Sequence, residues 1–292
     1  MSVCIAAICW GAEKKLNDDR IVVVTDRKMS GIEFSNEDAS VKNMWLSSQW
    51  GVVFAGADIS PCVPIIDAVR KEINRPEKEN KLEVVSAAFE SAYQEHLSKL
   101  AAAKCLGRWR LSMKDFLETG RKKFGADVFD SLCHQIEQVK LQCKFLVYGF
   151  DESLEPHIFT VANPGYAEVR DTPGYFAIGN GDFAAMSILG FFRQNIVNDI
   201  YRTCYNVAAA KFMAERASDV GKESFGFILP PEGGDGIIYV NSILQIARNA
   251  WENGGKPSAP SGIIESIKTA LQADIEEGNE RRRKRKAMSE EN

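Results

Sequence analysis

The sequence predicts an α+β fold of four layers, αββα, in which two antiparallel sheets stack face to face and helices cover their outer faces. Three observations carry this. The blocks run strands, two helices, strands, two helices, strands, the order that two stacked sheets with helical covers produce. Turn signals such as Pro164-Gly165, Pro173-Gly174 and Pro230-Pro231-Glu232-Gly233-Gly234-Asp235 punctuate the strand blocks, which suits hairpins and meanders. Of the 292 residues 45% are hydrophobic, enough for a substantial core.

Val3 to Cys9 and Ile21 to Thr25 are β-rich runs joined by the polar stretch Gly11 to Asp19, a long hairpin connection. Short strands follow at Val41 to Leu46 and Gly51 to Ala55. Ser60-Pro61 supplies a helix start, after which Cys62, Ile65, Ile66, Val69 and Ile73 recur at helical period as far as Pro76. Val85, Ala88, Phe89 and Ala92 mark a second helix reaching about Ala103. A charged, irregular stretch comes next, then a helix carrying Val128, Leu132, Ile136 and Val139. Lys144 to Phe150, Pro156 to Val161 and Ala167 to Ile178 read as a meander. Helices are expected from Phe183 to about Asn195 and from Asp199 to about Ser218. A hairpin of Ser224 to Leu229 with Gly236 to Val240 closes the domain, and Ser242 to Trp251 reads as helical. The domain therefore spans 2–252, with a helical insertion at about 104–142. Residues 253–292 form a Gly/Pro/Ser linker, an amphipathic helix from Ile263 to Ile275 and the basic run Arg281 to Lys286.

Charged residues make up 26% and the formal net charge is -4, so no global field draws the chain to nucleic acid or anionic lipid. The basic run is flanked by Asp274, Glu276, Glu277, Glu280, Glu290 and Glu291 and reads as a solvated tail. The first residues carry no basic, apolar leader pattern and nothing approaches a membrane span, which predicts a cytoplasmic protein. Seven scattered cysteines without a Cys-x-x-Cys pair argue against a disulfide framework and a zinc site. His96, His134 and His157 lie far apart, read as surface or packing residues, and leave no metal or cofactor expected.

The segment Ile21-Val-Val-Val-Thr-Asp26-Arg-Lys-Met-Ser30-Gly31, followed by Val41-Lys42 and Phe54-Ala55-Gly56-Ala57-Asp58, resembles the first third of a proteasome β subunit or its bacterial relatives. Asp26, Lys42 and Gly56 stand 16 and 14 residues apart, the family's own separations, and Ser30 falls where the family has a small hydroxyl residue. Gly179-Asn180-Gly181 and Ala214 to Asp219 are similar to the family's Gly-Ser-Gly turn and Asp-bearing helix end. The resemblance covers residues 2 to about 245, with inserts. It implies an N-terminal-nucleophile (Ntn) hydrolase fold and a catalytic set of Ser2, Asp26, Lys42, Gly56, Asn180 and Asp219.

That chemistry places a hydroxyl at the mature N-terminus, where the chain's own α-amino group can accept its proton near neutral pH. Removal of Met1 would expose Ser2 in that position. Lys42 would lower the pKa of nearby groups, with Asp26 as its ion-pair partner, and Gly56 would offer its N–H to the oxyanion. By the same register Met29, Ser30, Ser40, Phe54 and Asp58 would form the substrate pocket, with Phe54 at its floor favouring small or apolar side chains and Asp58 a basic group. Taken without the resemblance, Asp26 also reads as a strand-end turn residue, Lys42 as a solvated strand residue and Gly56 as a bend before Ser60. Cys4, a rival thiol, alternates with Ser2 and Ala6 and reads as core-facing.

Several positions depart from the pattern. Ser replaces the usual Thr, whose γ-methyl restricts χ1; Asn180 replaces a Ser; and Gly221-Lys222-Glu223-Ser224 follows Asp219 where a small residue and glycines are expected. The expected activity is hydrolysis of peptide or other amide bonds through an acyl-enzyme on Ser2, in a homo-oligomer, without a cofactor; no ATPase segment is present, and an ATPase partner is left open. Two alternatives stand beside it: a catalytically inactive proteasome-like assembly protein, and a small-molecule acylase of the same fold.

Overall fold

The computed structural model describes residues 2–11, 18–30, 35–36, 42–217, 219–233 and 238–256. It divides into two units, residues 1–249 and 250–292, and the first carries every element discussed below apart from the last residue of the final helix. Its strands are β1 (Val3–Trp10), β2 (Asp19–Asp26), β3 (Met29–Ser30), β4 (Ser35–Asn36), β5 (Asn43–Trp45), β6 (Trp50–Gly56), β7 (Cys143–Phe150), β8 (Pro156–Ala162), β9 (Tyr166–Val169), β10 (Tyr175–Gly179), β11 (Ser224–Leu229) and β12 (Ile238–Tyr239). The helices are α1 (Cys62–Ile73), α2 (Leu82–Ala101), α3 (Met113–Phe124), α4 (Ala126–Glu137), α5 (Asp182–Phe191), α6 (Ile200–Ala214) and α7 (Asn241–Ala250).

Two five-stranded antiparallel sheets form the centre, in the orders β10-β1-β2-β11-β12 and β5-β6-β7-β8-β9, and β3 pairs with β4 apart from them. The fold is thus α+β with two antiparallel sheets, as the block order predicts. One core lies between the sheets: Cys4, Ala6, Ile8, Val23 and Phe227 of the first meet Val53, Ala55, Leu146 and Tyr148 of the second. A second core lies on the opposite face of β6 and β7, where Phe54, Phe145 and Phe159 pack with Ile66 and Val69 of α1 and Phe89 of α2. Helices α5 and α6 contact β1, β2 and β10. Burial on both faces explains why β1 is apolar at nearly every position instead of alternating.

Two expectations need correction. The run Ala167 to Ile178 is not one strand of a meander. It splits around Asp171 to Gly174, so that β9 ends the second sheet while β10 crosses to the first and pairs with β1. The stretch before α4, read as irregular, contains α3. Ser112 caps it by accepting a hydrogen bond from the Asp115 amide (3.1 Å) and donating to the Asp115 carboxylate (2.6 Å). Helices α3 and α4 close a small core of their own around Leu106, Phe116 and Leu132, and Gly120 has no side chain because the Phe116 and Phe129 rings close over it. Residues 263–275 and 281–286 lie outside the described residues.

Candidate active site

The candidate site forms where the start of β1 meets the ends of β2, β6 and β10. Ser2 precedes β1 and is 5% exposed. Because β1 is interior to its sheet, with Cys4 opposite Thr25 of β2 and Val3 opposite Gly179 of β10, the backbone at Ser2 is fixed from both sides. Gly179 has φ +104°, and a Cβ there would stand 2.1 Å from the Ser2 carbonyl oxygen, so only glycine fits. The Gly181 amide approaches the same carbonyl at 3.4 Å.

Asp26, at the end of β2, is fully buried. Its Oδ1 accepts from the Lys42 ammonium at 2.8 Å and from the Val3 amide at 2.9 Å, and its Oδ2 accepts from the Gly221 amide at 3.1 Å. A buried ion pair survives its desolvation cost of several kcal/mol per ion only when the remaining lone pairs are also satisfied. Three donors from three distant segments meet that condition. One oxygen thus ties Lys42, itself 5% exposed, to the peptide that joins Ser2 to Val3.

A cavity of about 730 Å³ opens beside Ser2, with Gly56, Gly179, Asn180 and Asp219 on its wall. The Asn180 amide donates to the Asp219 carboxylate at 3.3 Å. Gly56 lines the cavity, and a Cβ on it would lie 2.1 Å from the Gln142 carbonyl oxygen. The packing of β6 on β7 therefore requires glycine at 56 independently of any substrate.

The structure brings together Ser2, Asp26, Lys42, Gly56, Asn180 and Asp219. Of the expected pocket residues, Phe54 and Asp58 have described side chains. Phe54 faces the helix-covered side of β6, opposite to Ala55, which lines the cavity. Asp58 is exposed and accepts from the Ser60 amide at 2.9 Å, and these Ser60 hydrogen bonds hold its carboxyl below the usual range. Met29 and Ser30 form β3, their side chains lying outside the description, as does the whole of Ser40. Cys4 points into the core between the sheets, where burial pushes its thiol up to about 12.

Sequence reasoning missed the group that holds Gly221 in place. Lys211 of α6, wholly buried, donates to the Lys222 carbonyl at 2.6 Å and pairs with Glu215 at 2.5 Å. Arg248 of α7 donates to both Glu215 oxygens, at 2.6 and 2.5 Å. Burial lowers the Lys211 pKa against the opposing pull of Glu215. The i,i+4 spacing of Lys211 and Glu215 was the available signal.

No protein-family model and no curated protein matches the sequence. Among the described residues no helix is long and apolar enough to cross a membrane.

Proposed function

We propose that the chain is a proteasome-like Ntn hydrolase with the αββα fold of that class, cleaving amide bonds through Ser2 once the Met1–Ser2 bond has been cut. The observation that carries this reading is the shared oxygen of Asp26, which joins Lys42 to the Ser2–Val3 peptide at the wall of a cavity. In the proposed reaction the freed α-amine accepts the Ser2 Oγ proton as Oγ bonds to the substrate carbonyl carbon. The tetrahedral oxyanion accepts from the Gly56 N–H. Collapse breaks the C–N bond, the amine leaves with the transferred proton, and an ester on Ser2 remains. Water, deprotonated by the same α-amine, then hydrolyses the ester and returns the proton to Oγ. Lys42 contributes positive charge that favours the neutral amine, and Asp26 fixes its position. The substrate is a peptide or protein and the working form a homo-oligomer in the cytoplasm.

The test is a probe that reacts with a hydroxyl and an adjacent amine together, such as a peptide epoxyketone, read by intact-mass and peptide mass spectrometry. One adduct on Ser2 is expected, absent in Ser2→Ala, together with loss of Met1. Amide hydrolysis that persists in Ser2→Ala would overturn the proposal.

The acylase alternative has one observation in its favour. A second cavity of about 580 Å³, lined by Leu97, Met113, Ile136 and Val139 of α2 and the insertion, shares Asn163 with the first. Turnover of acyl amides in preference to peptides, by a protein that light scattering shows to be a monomer, would select it.

A further inference from the structure

We propose that Asp151, Glu155 and His157 form a binding site for one divalent transition-metal ion, zinc being the best match, on the β7–β8 connection. The site is independent of the Ser2 chemistry. Each residue offers one ligand atom, and the three atoms lie within 4.8 Å of one another. Histidine nitrogen with carboxylate oxygens is a donor set that zinc and its neighbours in the first transition row accept.

The connection is rigid. Phe150 pairs with Pro156 and Gly149 with His157 across the two strands, and the Asp151 amide donates to the Glu155 carbonyl at 3.1 Å. The two Asp151 oxygens have separate tasks. Oδ1 accepts from the Ser153 and Glu155 amides, at 2.8 and 2.9 Å, which leaves Oδ2 aimed at the imidazole.

The imidazole is oriented from behind. Its Nδ1 lies 2.7 Å from Asp171 Oδ2, while Asp171 Oδ1 accepts from the Ile158 amide at 2.7 Å, so the carboxylate cannot turn away. Carboxylate–histidine pairs of this kind fix the tautomer and ring angle of metal-bound histidines. With Nδ1 engaged by Asp171, Nε2 is the ring nitrogen that faces Asp151 Oδ2.

Those two atoms are 3.6 Å apart. That is too long for a hydrogen bond. It is close to the roughly 3.4 Å edge between two ligands held at about 2.1 Å by a tetrahedral ion. Glu155 is exposed and can close on the ion from the solvent side, leaving the fourth position for water.

Zinc titration of the full chain by calorimetry, with cobalt absorption as a second readout, tests this. One ion per chain is expected, and the cobalt complex should show d–d bands without thiolate charge transfer, separating this site from the cysteines. Affinity should fall at least tenfold in Glu155→Gln, in Asp171→Asn, which removes only the supporting carboxylate, and most in His157→Gln. If His157→Gln fails to fold by circular dichroism, the other two variants decide. No saturable binding, or binding unchanged in Glu155→Gln and Asp171→Asn, would overturn the assignment.

Discussion

The Lys42 ammonium lies 2.8 Å from Asp26 Oδ1, and both side chains are withdrawn from solvent. The Val3 amide shares that oxygen. Asp26→Asn would leave the lysine buried without its counter-charge, a change that costs about 3–5 kcal/mol in comparable cases. Urea denaturation should register that loss. Lys42→Met added to Asp26→Asn should restore part of the stability and none of the proposed activity. If the two costs simply add, the pair is not coupled.

Gly179→Ala should destabilise the chain by at least about 1–3 kcal/mol, the usual cost of a strained backbone, because the position has φ +104° and no room beside the Ser2 carbonyl. The probe reaction at Ser2 should slow with it. Gly190→Ala is the control: it sits in α5 with nothing within 4 Å of an added Cβ, and helix propensity predicts a gain of up to about 1 kcal/mol. Thermal melts of the two variants should move in opposite directions.

Thiol chemistry should sort by burial. Cys105 and Cys133 are partly exposed, whereas Cys4, Cys9, Cys62, Cys143 and Cys204 are buried. With its thiol pushed up to about 12 by burial, Cys4 holds on the order of one part in ten thousand as thiolate at pH 8, and the thiolate is the reactive form. Timed alkylation of the native protein with peptide mapping should find Cys105 and Cys133 modified first. Rapid labelling of Cys4 would show that β1 is not held as described.

Lys211→Met should leave Glu215 paired with Arg248 and the Lys222 carbonyl with only the longer contacts from Arg248 (3.3 Å) and Ser224 (3.4 Å), costing about 1.5–3 kcal/mol for the charge-assisted bond removed. Burial depresses the Lys211 pKa below the ordinary 10.5. The folded state therefore binds this proton less tightly than the unfolded state, and wild-type stability relative to Lys211→Met should rise between the depressed pKa and about 10.5. Paired urea titrations across that window measure the difference. A flat difference would mean that the ammonium bears no burial penalty.

The centre of the first sheet was legible because β1 and β2 are buried on both faces, which writes Val3 to Cys9 and Ile21 to Thr25 as continuous apolar runs. Helix α3 was not: Lys114, Asp115, Glu118, Arg121, Lys122 and Lys123 outweigh its apolar face, although Ser112 and Asp115 had spelled a capping box. Pro173-Gly174 marked the break between β9 and β10, but the crossing of β10 to the other sheet left no mark, since sheet membership depends on register rather than composition. In the site, the resemblance to proteasome β subunits singled out Asp26 and Lys42, which the residues alone would have left as a turn residue and a solvated lysine and which the structure joins. The Gly221 amide that completes the carboxylate's partners was illegible, because a backbone donor has no side chain to announce it.

Strand β1 is an interior strand of its sheet, and Ser2, the residue just before it, lies on the cavity wall. Under the proposed chemistry, an affinity tag at the front of the chain that cannot be trimmed back to Ser2 would keep the α-amine capped and abolish activity. Recombinant versions intended for assays belong with the tag at the other end.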